Sequence, residues 1–439
     1  MSTSLEGPGR LKPPDHSARD LSLLAWATLL LFIVLPFSAI ILRSHRPPDG
    51  DFAGFYSLGV ILNHYPMADL YNYPLLVEIC NQVHPRATTY GPLPYPPFVG
   101  LFFQVFTLLP FWAAYLAWII ISLALYAAGL HMTISRFFPL PFHLRSLLFC
   151  LAFAYAPFLI DTAANGQLAA VGFFALAVVI CEDDPGRLFA SGLALSLCTY
   201  KPTLLVLILP MLLVTRRFRT ILGFIAGALA LASIPTLVGG FSIWRAFLRS
   251  ILNYGKSSTS PQVALVHLPV KSVDLSALFS IAPGGRSIPA MILFAFIVVA
   301  ALGSLAFFGW RSPRLGKPFN SLLWAAAITW TLLLNLYVPI YDSILAVISL
   351  ILTAAALRQL PAHAASSKWN RRVFTFLWLA ILFFSWFTIA IASRTGIQPL
   401  TLLLTALGAF QFLLLREFRH LPLQPPSLWN SRPRPEMLL

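Results

Sequence analysis

Residues 187–219 read RLFASGLALSLCTYKPTLLVLILPMLLVTRRFR. Two apolar runs, 187–200 and 202–215, are joined by Lys201-Pro202 and closed by a basic cluster. Continuous apolar runs ended by arginines are the pattern of helices in a bilayer, not of a soluble core. Each run holds 14 residues. That is roughly 21 Å of helix, against a hydrocarbon core about 30 Å thick. The joint at Lys201 is therefore expected below the membrane surface, inside a cavity. A lysine there is costly unless it meets an anion, which makes Lys201 a candidate contact for a lipid phosphate. A side chain snorkelling from a helix end is the plainer alternative.

The rest of the chain repeats this pattern. It is 58% hydrophobic and 10% charged, with a mean hydropathy of +0.79; globular proteins carry about 25% charged residues. Apolar runs lie near 21–42, 112–134, 146–161, 166–181, 187–200, 202–215, 219–238, 288–309, 319–335, 338–357, 372–392 and 397–415. They are continuous rather than alternating, which argues against a β-barrel. The expected fold is an all-α polytopic membrane protein of about 12 transmembrane helices, with re-entrant or interfacial helices added. The run at 96–110 starts YPP and ends in Pro110; it is read as one of the added helices, its prolines sheltered by protein or a cavity.

A net charge of +15 would suggest a nucleic-acid partner in a soluble protein. Here it is assigned to topology, with no nucleic-acid partner. The basic loops RRFR (216–219) and RSPRLGK (311–317), the loop 358–372 and the tail from Arg416 are placed inside. Both termini are then cytoplasmic, and the long loops 43–95 and 239–287 face out. The domain reading is a cytoplasmic tail at 1–20, one transmembrane domain at 21–415 and a basic cytoplasmic tail at 416–439. The run at 21–42 is too long for a signal h-region and is read as a retained helix. Cys80, Cys150, Cys181 and Cys198 are scattered, with neither metal spacing nor a disulfide framework.

Acids are scarce, 15 Asp+Glu in 439 residues. Asp49 and Asp51 nevertheless stand together where the first helix would emerge. A carboxylate partly desolvated beside a membrane cavity can serve as a general base; an aspartate capping the segment FAGFYSLGVILNHY is the alternative. Asn165-Gly166-Gln167 forms an outer turn whose amides could bond a sugar, and Tyr95 leads into the YPP helix. Tyr341-Asp342 opens another run, where the acid could cap the helix or bind a sugar hydroxyl. Arg394 is a second candidate phosphate contact. Orientation set by the basic loops puts Asp51, Tyr95, Gln167, Lys201, Asp342 and Arg394 on one side, the outer one. In the loop 239–287, Trp244, Tyr254, Lys256 and Lys271 are expected to shape the acceptor side.

Four stretches resemble glycosyltransferase family 87, within the C superfamily of polytopic glycosyltransferases. They are DFAGFY with ADLYN (51–56, 68–72), YPPFVGLFFQVFTLLP (95–110), NGQLAAVGFFALAVVI with SGLALSLCTYKPTLLVLILPMLLVTRR (165–180, 191–217) and PIYDSILAVISL (339–350). Two positions depart from the family pattern: Asn63-His64 stands where a glycine is often found, and Ile340 where a polar residue or His often precedes YD. The resemblance implies transfer of a hexose, most readily mannose, from a polyprenyl-phosphate donor to a lipid or glycan acceptor hydroxyl. It implies inversion at the outer face of the plasma membrane, with Asp51 as base and Tyr56 among the sugar or acceptor contacts. No cofactor is expected, with a divalent metal left open. The rival reading is a transporter or flippase, which would also use an intramembrane lysine; the chain shows no inverted repeat to support it. An outer-face transferase of another kind would draw on His45, His64, His84 or His267.

Overall fold

The computed structural model describes residues 50–84, 93–138, 141–182, 184–257, 269–282, 284, 287–311, 316–335, 337–359 and 365–419. The expected helix at 21–42, both terminal tails up to residue 20 and beyond 419, and Asp49 lie outside them.

The described residues are helical, and their one extended pairing is the isolated bridge between Ser272 and Pro339. In chain order the helices are α1 (Gly50–His64), α2 (Tyr73–Val83), α3 (Pro97–Gln104), α4 (Phe111–Phe137), α5 (Phe142–Phe153), α6 (Ala169–Cys181), α7 (Leu188–Ser196) and α8 (Ile208–Val214). There follow α9 (Phe218–Gly239), α10 (Ser242–Ser257), α11 (Leu275–Ile281), α12 (Ile288–Arg311), α13 (Gly316–Leu333), α14 (Leu345–Arg358), α15 (Ala365–Ser385), α16 (Thr388–Thr395) and α17 (Pro399–Phe418).

Five helices among the described residues are long and apolar enough to cross a membrane, or seven if two bent pairs each form one span. Their surroundings differ. In α12 only 11% of the apolar window is buried, and α9 is nearly as bare at 17%. Phe296, Val299 and Leu229 stand exposed on them. Such faces need lipid around them. The helix α14 with its lead-in is 94% buried and forms the axis of the bundle.

Polar groups on α14 are satisfied within the protein. Thr329 of α13 and Ser349 of α14 share a 2.7 Å hydrogen bond, and the Gln411 amide of α17 donates to Ser349 and Thr353 at 2.8 and 2.9 Å. Such bonds link helices where apolar contact with lipid offers no competing preference. Elsewhere small residues bring helices together. A Cβ on Gly192 of α7 would meet the Thr220 carbonyl of α9 at 2.0 Å, and one on Gly223 the Phe189 carbonyl at 2.0 Å.

Two expected spans are broken. The run read as 146–161 bends by 60° between Leu144–Phe153 and Pro157–Ala164. Pro157 has no N–H to continue the helix, and the chain resumes there as a wide π-helical turn. The run read as 372–392 bends by 78° between α15 and α16. The YPP segment forms α3, which a 3-10 turn extends to Leu108. At roughly 18 Å for twelve residues, it is short of the roughly 30 Å core.

Candidate functional site

Asp51 lies in the first turn of α1, where the helix dipole favours an acid. Its neighbours fix its place. The Phe52 amide donates to the Asn165 carbonyl at 3.1 Å. Gly50 and Gly166 both have positive φ, at 29° and 71°. A Cβ on either would strike the other strand of this contact, Asn165 Cβ from one side and Phe52 Cβ from the other, at 2.6 Å each. GDF and NGQ are thus pressed together at the backbone. The carbonyls of Ala164 and Gly166 accept hydrogen bonds from Tyr115 Oη at 2.6 Å and Trp118 Nε1 at 2.8 Å on α4.

This contact sets up a short polar chain. The Gln167 amide nitrogen donates to the Asp51 carboxylate, and Tyr95 Oη donates to the Gln167 amide oxygen at 3.3 Å. Tyr95 is held in turn by its carbonyl, which accepts from Tyr71 Oη at 2.7 Å. Its ring packs edge-on against Phe55, with centroids 5.0 Å apart. Burial pushes the Asp51 carboxyl above its ordinary 3.8, while the Gln167 hydrogen bond and the positive charges of Lys271 and Lys201 pull it down.

Lys201 stands between two 3-10 turns, 197–200 and 202–205. Pro202 holds it in an extended conformation, φ −140°. Its ammonium is ion-paired with Asp342, whose side chain is 1% exposed. It also lies 4.9 Å from the Tyr341 ring centroid and 5.6 Å from that of Tyr337. The second Asp342 oxygen, Oδ1, is buried without a hydrogen-bond partner among the described residues. Tyr95 and Tyr200 rings run nearly parallel at 6.5 Å, so this pair and the Asp51 chain form one site. Lys201, a candidate phosphate contact, is paired with Asp342 in this structure.

Other expected residues fall differently. Asn165 contributes through its carbonyl to Phe52. Tyr56 donates its hydroxyl proton to the Leu109 carbonyl at 2.9 Å, tying α1 to the segment after α3. Arg394 is exposed in the last turn of α16 and forms no ion pair among the described residues.

Two further charged residues join the site, Asp161, which the sequence did not single out, and Lys271, which it placed on the acceptor side. Asp161 sits on the π-helical turn at 157–164, within electrostatic reach of Asp51 and Lys271. It had been read as the last residue of an apolar run. The cue was present: an acid ending such a run is costly unless it has a purpose. Lys271 was placed on the acceptor side by the position and composition of its loop. Among the described residues no three His, Cys, Asp or Glu gather as a metal-binding group.

The family model for glycosyltransferase family 87 matches residues 93–336, more than half of the chain. The chain belongs to glycosyltransferase family 87. It is a membrane glycosyltransferase, which requires a sugar donor and an acceptor. The matched residues take in Tyr95, Asp161, Gln167, Lys201 and Lys271; Asp51 and Asp342 lie to either side. No curated protein and no solved structure matches the chain.

Proposed function

We propose that this glycosyltransferase moves a hexose, mannose first among them, from a polyprenyl-phosphate donor to an acceptor hydroxyl. The site lies at the outer face of the plasma membrane and the anomeric centre inverts. One observation carries this reading: a partly buried carboxylate, Asp51, is oriented by a neutral amide and faces lysines, in a chain with apolar faces open to lipid.

The chemistry follows from those groups. Asp51 takes the proton of the acceptor hydroxyl as that oxygen attacks the anomeric carbon. The bond from that carbon to the phosphate oxygen breaks on the opposite face, and its electron pair leaves with the phosphate. Inversion places the base on the face opposite the leaving group, as in inverting glycosidases. A phosphate leaving group needs no acid; it needs positive charge nearby. A desolvated carboxylate is a stronger base than one in water, provided it remains ionised at the working pH. Tyr341 and the free Asp342 oxygen are suited to the hydroxyls of the sugar or acceptor, and Tyr95 to their apolar faces. The reaction is proposed to run without a cofactor.

The test is transfer from radiolabelled polyprenyl-phosphate hexoses in membranes carrying equal amounts of wild type or Asp51→Asn. Wild type should label an acceptor, and the variant should lose about 10²- to 10⁴-fold of that rate, the usual worth of a general base. Equal rates would remove Asp51 from the role. If Asp161→Asn then abolished transfer, the base would be Asp161. A wild type that transfers from no hexose donor in membranes with native acceptor lipids would favour the transporter.

A further inference from the structure

Lys201 was the obvious cation for a donor phosphate, but its ammonium is held by a buried carboxylate and capped by two tyrosine rings. Arg394, exposed on α16, is not among the cations that act on Asp51 or Asp161. Among the described residues, the other cation whose charge acts on Asp51 is Lys271. It also lies within electrostatic reach of Asp161. Its side chain is exposed and forms no ion pair among the described residues, so it is open to an incoming anion.

The backbone around Lys271 is fixed on both sides. The Gln398 amide nitrogen donates to the Val270 carbonyl at 2.8 Å and to the Ser272 carbonyl at 3.2 Å. Gln398 is itself fully buried, with its oxygen accepting from Thr388. The Val273 amide donates to the Val338 carbonyl at 2.8 Å. Asp274, also buried, accepts from the amides of Ala277 at 2.8 Å and Val338 at 3.0 Å. The bridge from Ser272 to Pro339 joins this loop to the segment that leads into Tyr341 and Asp342. Val270 on one side of the exposed lysine, and Ser272 and Val273 on the other, are thus held by the buried Gln398 amide and the Val338 backbone. A cation on such a mount keeps its position without a partner, as electrostatic stabilisation of a leaving group requires.

We propose that Lys271 binds the phosphate of the lipid-linked donor and neutralises it as it leaves, while the Lys201–Asp342 pair organises the sugar side of the site. This rests on the donor reading above. The ligand chemistry is a phosphate ester; its source is a prenyl lipid headgroup rather than a free phosphate.

The experiment measures binding, not turnover. Purified wild type, Lys271→Ala and Lys271→Arg in lipid nanodiscs are titrated with a labelled polyprenyl phosphate that carries no sugar, and with the same polyprenol lacking phosphate. Wild type should prefer the phosphate. Lys271→Ala should weaken polyprenyl-phosphate binding by about tenfold or more, the worth of one charge-assisted contact. It should leave polyprenol binding unchanged, and Lys271→Arg should stay near wild type. Because Lys271 is exposed, thermal unfolding should match in all three. If Lys271→Ala binds polyprenyl phosphate as wild type does, the assignment falls and the donor reading stands. A wild type that does not tell phosphate from alcohol overturns the donor reading and Lys271 with it. Displacement of the lipid by inorganic phosphate at equal concentration would show a free-anion site and also overturn the assignment.

Discussion

The site contains two carboxylates treated in opposite ways. Asp342 is 1% exposed and neutralised by direct contact with Lys201. Asp51 is partly buried and, among the described residues, receives a neutral amide directly, with lysine charge acting from further off. A carboxylate locked to an ammonium has little basicity left and serves to hold shape. A carboxylate whose direct partner is a neutral amide keeps more of its basicity than one paired with an ammonium. In the proposed mechanism the same residue type becomes a structural anchor in one case and a base in the other, through the neighbour supplied by the fold.

The contrast can be broken from either side. The largest effect should come from Asp51→Asn, which keeps the Gln167 contact nearly isosteric and removes the base. Transfer should fall by about 10²- to 10⁴-fold with unfolding temperature unchanged. A matching loss of stability would mean that Asp51 is an anchor too. Next, Asp342→Ala leaves Lys201 buried without its partner. Removing one member of a buried pair costs about 3–5 kcal/mol, so detergent-solubilised protein should unfold well below wild type. Lys201→Met added to Asp342→Ala should recover much of that loss; failure to recover would show that the pair does more than balance charge.

Gln167→Leu sharpens the comparison. The Gln167 hydrogen bond lowers the Asp51 pKa, so its loss raises that pKa further. Asp51 must be ionised to act, and the rising limb of the rate against pH tracks its titration. The limb should therefore move to higher pH in the variant, with the plateau approached at alkaline pH. An unmoved limb would detach Asp51 from the rate. The smallest effect is expected of chelation: EDTA should leave transfer unchanged, since in the proposed mechanism lysines supply the positive charge. A metal-restored loss would move leaving-group stabilisation from Lys271 to an ion.

Much of the site could be named from single residues in the sequence. Asp51, Gln167, Lys201 and Asp342 stand out because a polar group beside an apolar run is costly. The NGQ turn was legible too, because Gly166 marks a positive φ. The partners were not legible. Lys201 and Asp342 are 141 residues apart, and Asp51 and Gln167 are 116 apart. Lys201 was therefore read as a candidate phosphate contact, without its carboxylate partner. Asp161 was absorbed into an apolar run, because the π-helical turn after Pro157 that sets it against Asp51 depends on tertiary packing. Lys271 lies in a loop whose composition resembles any other, and only the Gln398 clamp distinguishes it.

By itself the sequence determined the solvent, the helical class and the family resemblance. Hydropathy is a sum over adjacent residues, and backbone groups in lipid must bond within their own segment. The tertiary structure decided which helix became the buried axis, which lysine was neutralised and which stayed open. Those outcomes depend on charges and carbonyls brought together from distant parts of the chain, and no local pattern encodes them.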